Sequence, residues 1–313
     1  MAKATKTTRG TAAADVKPSA RNLVFSRGWV GRRDLVWVLA QDNPAGGATR
    51  VLQYKGGNWV HRNVGWGAVA VTAVTKPNVE VIAVGAEGAI LRGVPTGFSE
   101  EHIDPSKSGP EFNGQIRDAR FIGSKVVAVG MSRQAYRREQ AGQWVHIDQG
   151  MAAKPSDMVG LNGVDGFGPN DLYAVGLKGE IWCYDGKGWY QQESPTNVAL
   201  HRVRCVAAKK VVYACGAAGT VLRGTVDGFE AIAQEGTSDN LYGLEWFEGK
   251  LYLAGLKALY VLDEDALEPV DVGLGGGVTF GDLHVNDGVM WSVGARHLLY
   301  TEDGTTWTQV FYA

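Results

Sequence analysis

The chain has 313 residues, a formal net charge of −2, 45% hydrophobic and 20% charged residues, which leaves room for a sizeable core and excludes wholesale disorder. With 43 glycines beside 10 Trp, 11 Tyr and 9 Phe, it points to many short strands joined by tight turns rather than to long helices. A near-neutral chain has no general attraction for nucleic acid or anionic membrane, and no apolar run reaches the roughly 18 residues of a membrane helix.

The amino terminus, MAKATKTTRGTAAADVKPSA, carries positive charge with no apolar stretch behind it. It is therefore expected to be a disordered basic leader over residues 1–20 of a cytoplasmic, bacterial protein, neither secretory signal nor anchor. From residue 21 to 313 a single domain is expected, because one pattern repeats to the end of the chain. Short apolar runs close on a small residue: LVWVLA (35–40), VIAVG (81–85), VVAVG (126–130), LYAVG (172–176), VVYACG (211–216), LYLAG (251–255) and VMWSVG (289–294). Their closing residues Ala40, Gly85, Gly130, Gly176, Gly216, Gly255 and Gly294 stand 45, 45, 46, 40, 39 and 39 apart. Before each run lies another apolar strand, such as 160–167 or 241–247. After it comes a third, such as IWCY (181–184) or 220–223, then a tight turn and a large apolar residue. Those residues, Trp59, Phe98, Trp144, Trp189, Phe229, Leu267 and Trp307, follow the anchor by 12–14 positions in six units. The first unit, with 19, carries an insertion at 41–49.

Four antiparallel strands per repeat of about 40 residues define the fold class as all-β, a seven-bladed β-propeller. One blade cannot bury both its faces, whereas seven in a ring can. The seven fourth-strand residues are accordingly expected in the inter-blade core, and the small residues of the second strands are expected to suit the crowded region nearer the axis. No spare outer strand is evident to latch the ring, so closure is expected from blade packing, assisted by residues 21–25. Asp/Gly turns at 55–58, 185–188, 227–228 and 303–304 are expected to make turns rather than chemistry.

The stretch GFGPNDLYAVGLKGEIWCYDGKGW (166–189) resembles the repeat of bacterial propellers in the broad WD40/YVTN/Asp-box (BNR-like) superfamily. The resemblance covers nearly the whole chain at blade level and is strongest in the fourth, fifth and seventh blades. No Gly-His…Trp-Asp pair of true WD40 repeats is present, and TEDGTTW (301–307) lacks one residue of an Asp-box. The resemblance implies a fold and says little about activity.

For function, the loops divide the two rims. Connections between first and second, and third and fourth strands, are tight (123–125, 168–171, 209–210, 286–288). Second-to-third and inter-blade connections are longer (41–49, 104–115, 131–135, 148–157, 191–199). Long loops on a rigid scaffold are where recognition sits, so the working surface is expected on the inter-blade-loop rim, with the axial channel opening there. Trp66, Arg117, His201 and Tyr242 are expected at that mouth. Beside them, Arg133, Tyr136, Arg137 and Arg138 form either an Arg/Tyr hot spot for an acidic or planar partner group or an ordinary loop of paired charges.

Six scattered histidines show no metal spacing, and no nucleophile elbow, P-loop or paired-cysteine motif occurs, so no catalytic residue, metal or cofactor is assigned. Cys183, Cys205 and Cys215 are too few for a disulfide framework; Cys205 and Cys215 could face each other on neighbouring strands, but buried thiols in a reducing compartment are the expectation rather than a bridge or metal pair. Residues 224–288 carry thirteen Asp/Glu against two Lys, a surface that is either a solvated rim or a guide for a basic partner.

The leading expectation is a non-enzymatic, monomeric ring that binds another protein through its loop-rich face, such as an adaptor or an inhibitor/immunity protein for a toxin or enzyme. The alternative is a hydrolase, lyase or carbohydrate binder, with Arg117, His201 and Glu193 converging on a small molecule at the channel mouth. Convergent carboxylates around a ligand-sized pocket would favour it, and a channel filled with side chains would oppose it.

Overall fold

The computed structural model describes residues 23–42, 47–232 and 237–312. The leader, residues 21–22 and part of the first-blade insertion lie outside them. The described residues form seven four-stranded sheets, each built from four consecutive strands in simple meander order. The second strands fall where the repeated runs place them: Leu35–Gln41, Glu80–Gly85, Lys125–Gly130, Asp171–Gly176, Val211–Gly216, Lys250–Ala254 and Val289–Gly294.

Alternation along these strands sends side chains to both faces of a blade, and the apolar ones collect in seven wedges, one between each pair of neighbouring blades. The seam between blades seven and one is a wedge like the others, with Leu23, Phe25 and Val30 packed on Trp291, Val293 and Tyr312. Phe25 N–H donates to Ala295 O at 3.1 Å and Trp59 Nε1–H to Phe311 O at 2.8 Å. Among the described residues no strand is exchanged across it, so packing closes this seam, and Leu23 and Phe25 are the part of 21–25 seen to assist.

Two expectations need correction. The fourth-strand residues are not uniformly core. Trp189, Leu267 and Trp307 are buried, Trp59, Trp144 and Phe229 are half-buried, and Phe98 is 45% exposed under the guanidinium of Arg62. Fourth strands form the outer edge, where the wedge is open to water. The small anchors, too, answer to a different crowding from the axial one. A Cβ would lie 2.4 Å from Gln115 O at Gly130, 2.0 Å from Gly160 O at Gly176, 2.2 Å from Ala199 O at Gly216 and 1.8 Å from Thr279 O at Gly294. Each of these carbonyls belongs to the backbone entering the same blade's first strand, so glycine is required where the incoming chain crosses the end of the second strand.

The Asp/Gly turns are turn-makers: the Asp185 carboxylate accepts the backbone N–H groups of Lys187 and Gly188 at 2.9 and 3.0 Å. The three cysteines are free, and Cys205 and Cys215 are not opposed, pairing instead with Val212 and Arg202. Among the described residues no helix is long and apolar enough to cross a membrane.

Candidate recognition site at the channel mouth

In a four-strand meander, first-to-second and third-to-fourth turns share one rim, and second-to-third turns and inter-blade connections share the other. Hairpins on the first rim are mostly short. On the second, elaboration is concentrated in the inter-blade connections, notably 103–115 with its single helical turn Pro110–Asn113, 147–160, and 270–280. Second-to-third turns are short where fully described; the one at 131–134, expected to be long, is a tight turn with Ser132 and Arg133 both in the left-handed region (φ 56° each).

The first strands line the axis and present side chains at three depths, fixed by their register against the second strands. Three positions before the anchor lie Thr72, Arg120, Asp165, Arg204, Glu245 and His284; one position before it lie Arg27, Asp118, Arg202 and Asp282. These two layers neutralise themselves. Arg120 reaches Asp165 at 3.2 Å and Glu245 at 3.6 Å, Arg204 bonds the same two carboxylates, and Arg27 and Arg202 share Asp282 at 3.9 and 3.6 Å. The acids also hold the next blade. Val164 N–H donates to Asp118 at 3.1 Å, Cys205 N–H to Asp165 at 2.8 Å and Gly28 N–H to Asp282 at 3.0 Å, while the Thr72 hydroxyl accepts Phe121 N–H at 3.0 Å. Burial, with the Arg120 charge adding to it, brings the His284 pKa down to about 3, so its neutral Nδ1 accepts Val30 N–H. What space remains between the layers is about 30 Å³, little more than a water molecule needs.

Above them the first strands of blades one to five each carry a bulge. Pairing jumps over Ser26, Val69, Arg117, Asn162 and His201. A bulge re-aims the skipped side chain, and all five line one cavity of about 490 Å³, joined by Tyr242 of blade six and by Gln41 and Leu177 from second-to-third connections. Its floor is formed by Arg27 and Arg202 of the layer below. His201 and Tyr242 stack with centroids 4.9 Å apart at 24°. Burial, then the charges of Arg202 and Arg27, lower the His201 pKa, so the ring is neutral at pH 7. Its Nε2 is buried with no hydrogen-bond partner among the described residues. Arg117 is exposed, and among the described residues its guanidinium bonds only the Met131 sulfur, at 3.6 Å.

Arg117, His201 and Tyr242 thus come together as expected, but Trp66 does not line the cavity; its ring packs over Gly85 in the wedge between blades one and two. Glu193 is exposed and outside the lining. The expected cationic-aromatic cluster is not assembled. Ala135–Gln140 is a third strand, whose alternation and blade contacts separate the side chains. Tyr136 is fully buried, Arg138 is buried against Glu101 and Glu80 of blade two, Arg137 pairs with Glu139, and Arg133 makes a two-pronged bond to Glu180 of blade four while lying over Trp182. Arg133 and Arg138 tie blades together, while Arg137 is paired within its own strand. Sequence reasoning missed the bulge residues Ser26, Val69 and Asn162; their only signal was the constant distance of 13–16 residues before each anchor.

For catalysis the arrangement offers little. Carboxylates do converge on the axis, yet each lies in the filled layers against arginine or backbone N–H, and among the described residues no group of His, Cys, Asp and Glu is placed to hold a metal. Among the described residues the acidic stretch has more of its exposed carboxylates, Asp227, Glu248, Asp263, Glu264, Asp265 and Asp287, at the short-hairpin rim than elsewhere.

Comparison with known proteins adds sequence and fold relatives. No family model matches the chain. The immune protein Tsi7 of Pseudomonas aeruginosa (strain PAO1) is 38% identical over 247 residues, covering 78% of this chain and 80% of that protein. Among solved structures, the WD40 propeller domain of Doa1 superposes with a TM-score of 0.67 at 10% identity, over 90% of this chain and 93% of that one. YCF48 bound to a D1 peptide does so with 0.67 at 14%, over 95% and 94%. At such identities the solved structures establish the propeller fold alone.

Proposed function

The chain belongs to the family of the immune protein Tsi7, and from that premise we propose that it is an immunity protein that binds and neutralises a toxin through its loop-rich rim. The observation that carries the choice of rim is the one-sided elaboration. Inter-blade connections 103–115, 147–160 and 270–280 rise around a preformed cavity of about 490 Å³, while the opposite rim is mostly plain hairpins. The hydrolase or lyase alternative is opposed by the lining of that cavity, which holds no acidic side chain among the described residues, while the carboxylates near the axis are already engaged by arginines.

The protein acts as a monomeric ring in the cytoplasm. Seven blades close the ring without a second chain, and three free cysteines suit a reducing compartment. A basic partner would feel the acidic stretch as a long-range field, because among the described residues more of its exposed carboxylates lie at the opposite rim than elsewhere.

Deleting the gene in its host and growing the strain against its parent tests the proposal. The deletion strain is expected to be killed on contact and rescued by the intact gene, but not by one whose 106–113 segment is replaced by a short Gly/Ser link. A deletion strain that competes normally and a protein that captures no partner at low or high salt would refute it.

A further inference from the structure

We infer that the channel mouth is a receptor for a carboxylate side chain of the partner protein, with Arg117 as the group that meets it; this rests on the partner-binding function above.

None of the residues lining the cavity is acidic. Of its three arginines, Arg27 and Arg202 share Asp282 in the layer beneath, where Asp118 also acts on Arg27, so two carboxylates answer two charges. Arg117 has no carboxylate within salt-bridge distance among the described residues and stands exposed at the wall. A guanidinium presents a planar fork suited to two parallel bonds with a carboxylate, and such charge-assisted pairs are the strong ones.

Across the mouth, the neutral imidazole of His201 is held flat against Tyr242, with its buried Nε2 unbonded. Being neutral, the ring lines the mouth beside Arg117 without adding charge. The pocket therefore offers about one uncompensated positive charge, which matches a monoanionic carboxylate better than a phosphate dianion. Both groups are mounted on strand bulges, so the fork and the ring are fixed before the partner arrives. The filled layers below set the depth: an Asp or Glu side chain with its flanking residues fits, and a threaded segment does not. The recognition of an acidic group first sought at Arg133–Arg138 is thus relocated to the one mouth arginine that the fold leaves without a carboxylate.

The test has two arms, both on the full chain. In the first, the toxin captured by the wild-type protein is titrated against wild type, Arg117→Gln, His201→Phe and, on the opposite rim, Asp265→Lys. Arg117→Gln is expected to weaken binding by roughly 10- to 100-fold, mainly in the dissociation rate, His201→Phe by less, and Asp265→Lys not at all. Unchanged affinity in Arg117→Gln overturns this inference and leaves the immunity function standing; no captured partner at all overturns the function itself.

In the second, arginine Nε–H signals are followed by NMR while N-acetyl-Ala-Glu-Ala-amide, its Gln counterpart or inorganic phosphate is added. A signal that moves with the Glu peptide, stays with the other two, and is missing in Arg117→Gln supports the assignment. Equal movement with the Gln peptide, or movement with phosphate alone, contradicts it. Thermal melts of each variant separate loss of binding from loss of fold.

Discussion

The axial layers and the channel mouth are built from the same first strands and lie one or three positions apart, yet they do opposite work. In the layers, Arg120 and Arg204 alternate with Asp165 and Glu245 until the charge is spent, and the acids take up backbone N–H groups of the next blade. At the mouth, one bulge residue higher, Arg117 has no acid within reach among the described residues and stands exposed. What separates structural charge from recognition charge here is register. A side chain in ladder register faces its counterparts across a narrow axis, whereas a skipped one is turned into the open cavity.

The largest way to break this contrast is to remove a charge from the layers. Arg204→Met leaves Asp165 and Glu245 short of a partner in a buried site and is expected to cost about 3–5 kcal/mol in urea unfolding. Arg117→Met at the mouth should stay within about 0.5 kcal/mol of wild type in the same assay while losing partner affinity. Equal stability costs would erase the distinction.

A smaller effect sharpens how the mouth is positioned. Gly216→Ala would press a methyl against Ala199 O, 2.2 Å away, just before the His201 bulge, with an expected cost of about 1–3 kcal/mol. Gly255→Ala, whose nearest obstacle is Asn240 O at 3.5 Å, should cost little. Thermal melts of the pair check this, and equal shifts would show that strand crossing is not what selects glycine.

The smallest effect concerns the loop-rich rim itself. Burial alone would lower the His146 pKa, but its hydrogen bond to Asp104 at 2.9 Å and the nearby Asp148 outweigh that and raise it. A raised folded pKa stabilises fully below the unfolded value and is lost as pH rises through the folded one. The stability gap between wild type and His146→Asn should therefore be larger at about pH 6 than at about pH 9, by about 0.5 kcal/mol or less, because the pair is partly exposed. A gap that widens toward high pH would reverse the assignment.

Blade number, strand order, the second-strand runs and, among the described residues, closure without an exchanged strand were legible because each follows from periodicity and spacing. Arg117, His201 and Tyr242 were legible as starts of first strands. The bulges were not, since a bulge is a property of pairing between two strands and has no residue signature in one. Arg133–Arg138 misled because a dense run of like charges reads as a solvated loop. The acids that bury Arg133 and Arg138, Glu180, Glu80 and Glu101, come from neighbouring blades 37 to 58 residues away in the chain.

Hydrogen exchange of the protein alone and in complex with its captured toxin tests the central claim most directly. Slower exchange is expected in 103–115, 147–160 and the first-strand starts around Arg117, His201 and Tyr242, with the short-hairpin rim unchanged. Protection centred on turns 248–249, 264–265 and 287–288, with the mouth unaffected, would place the partner on the wrong side of the ring.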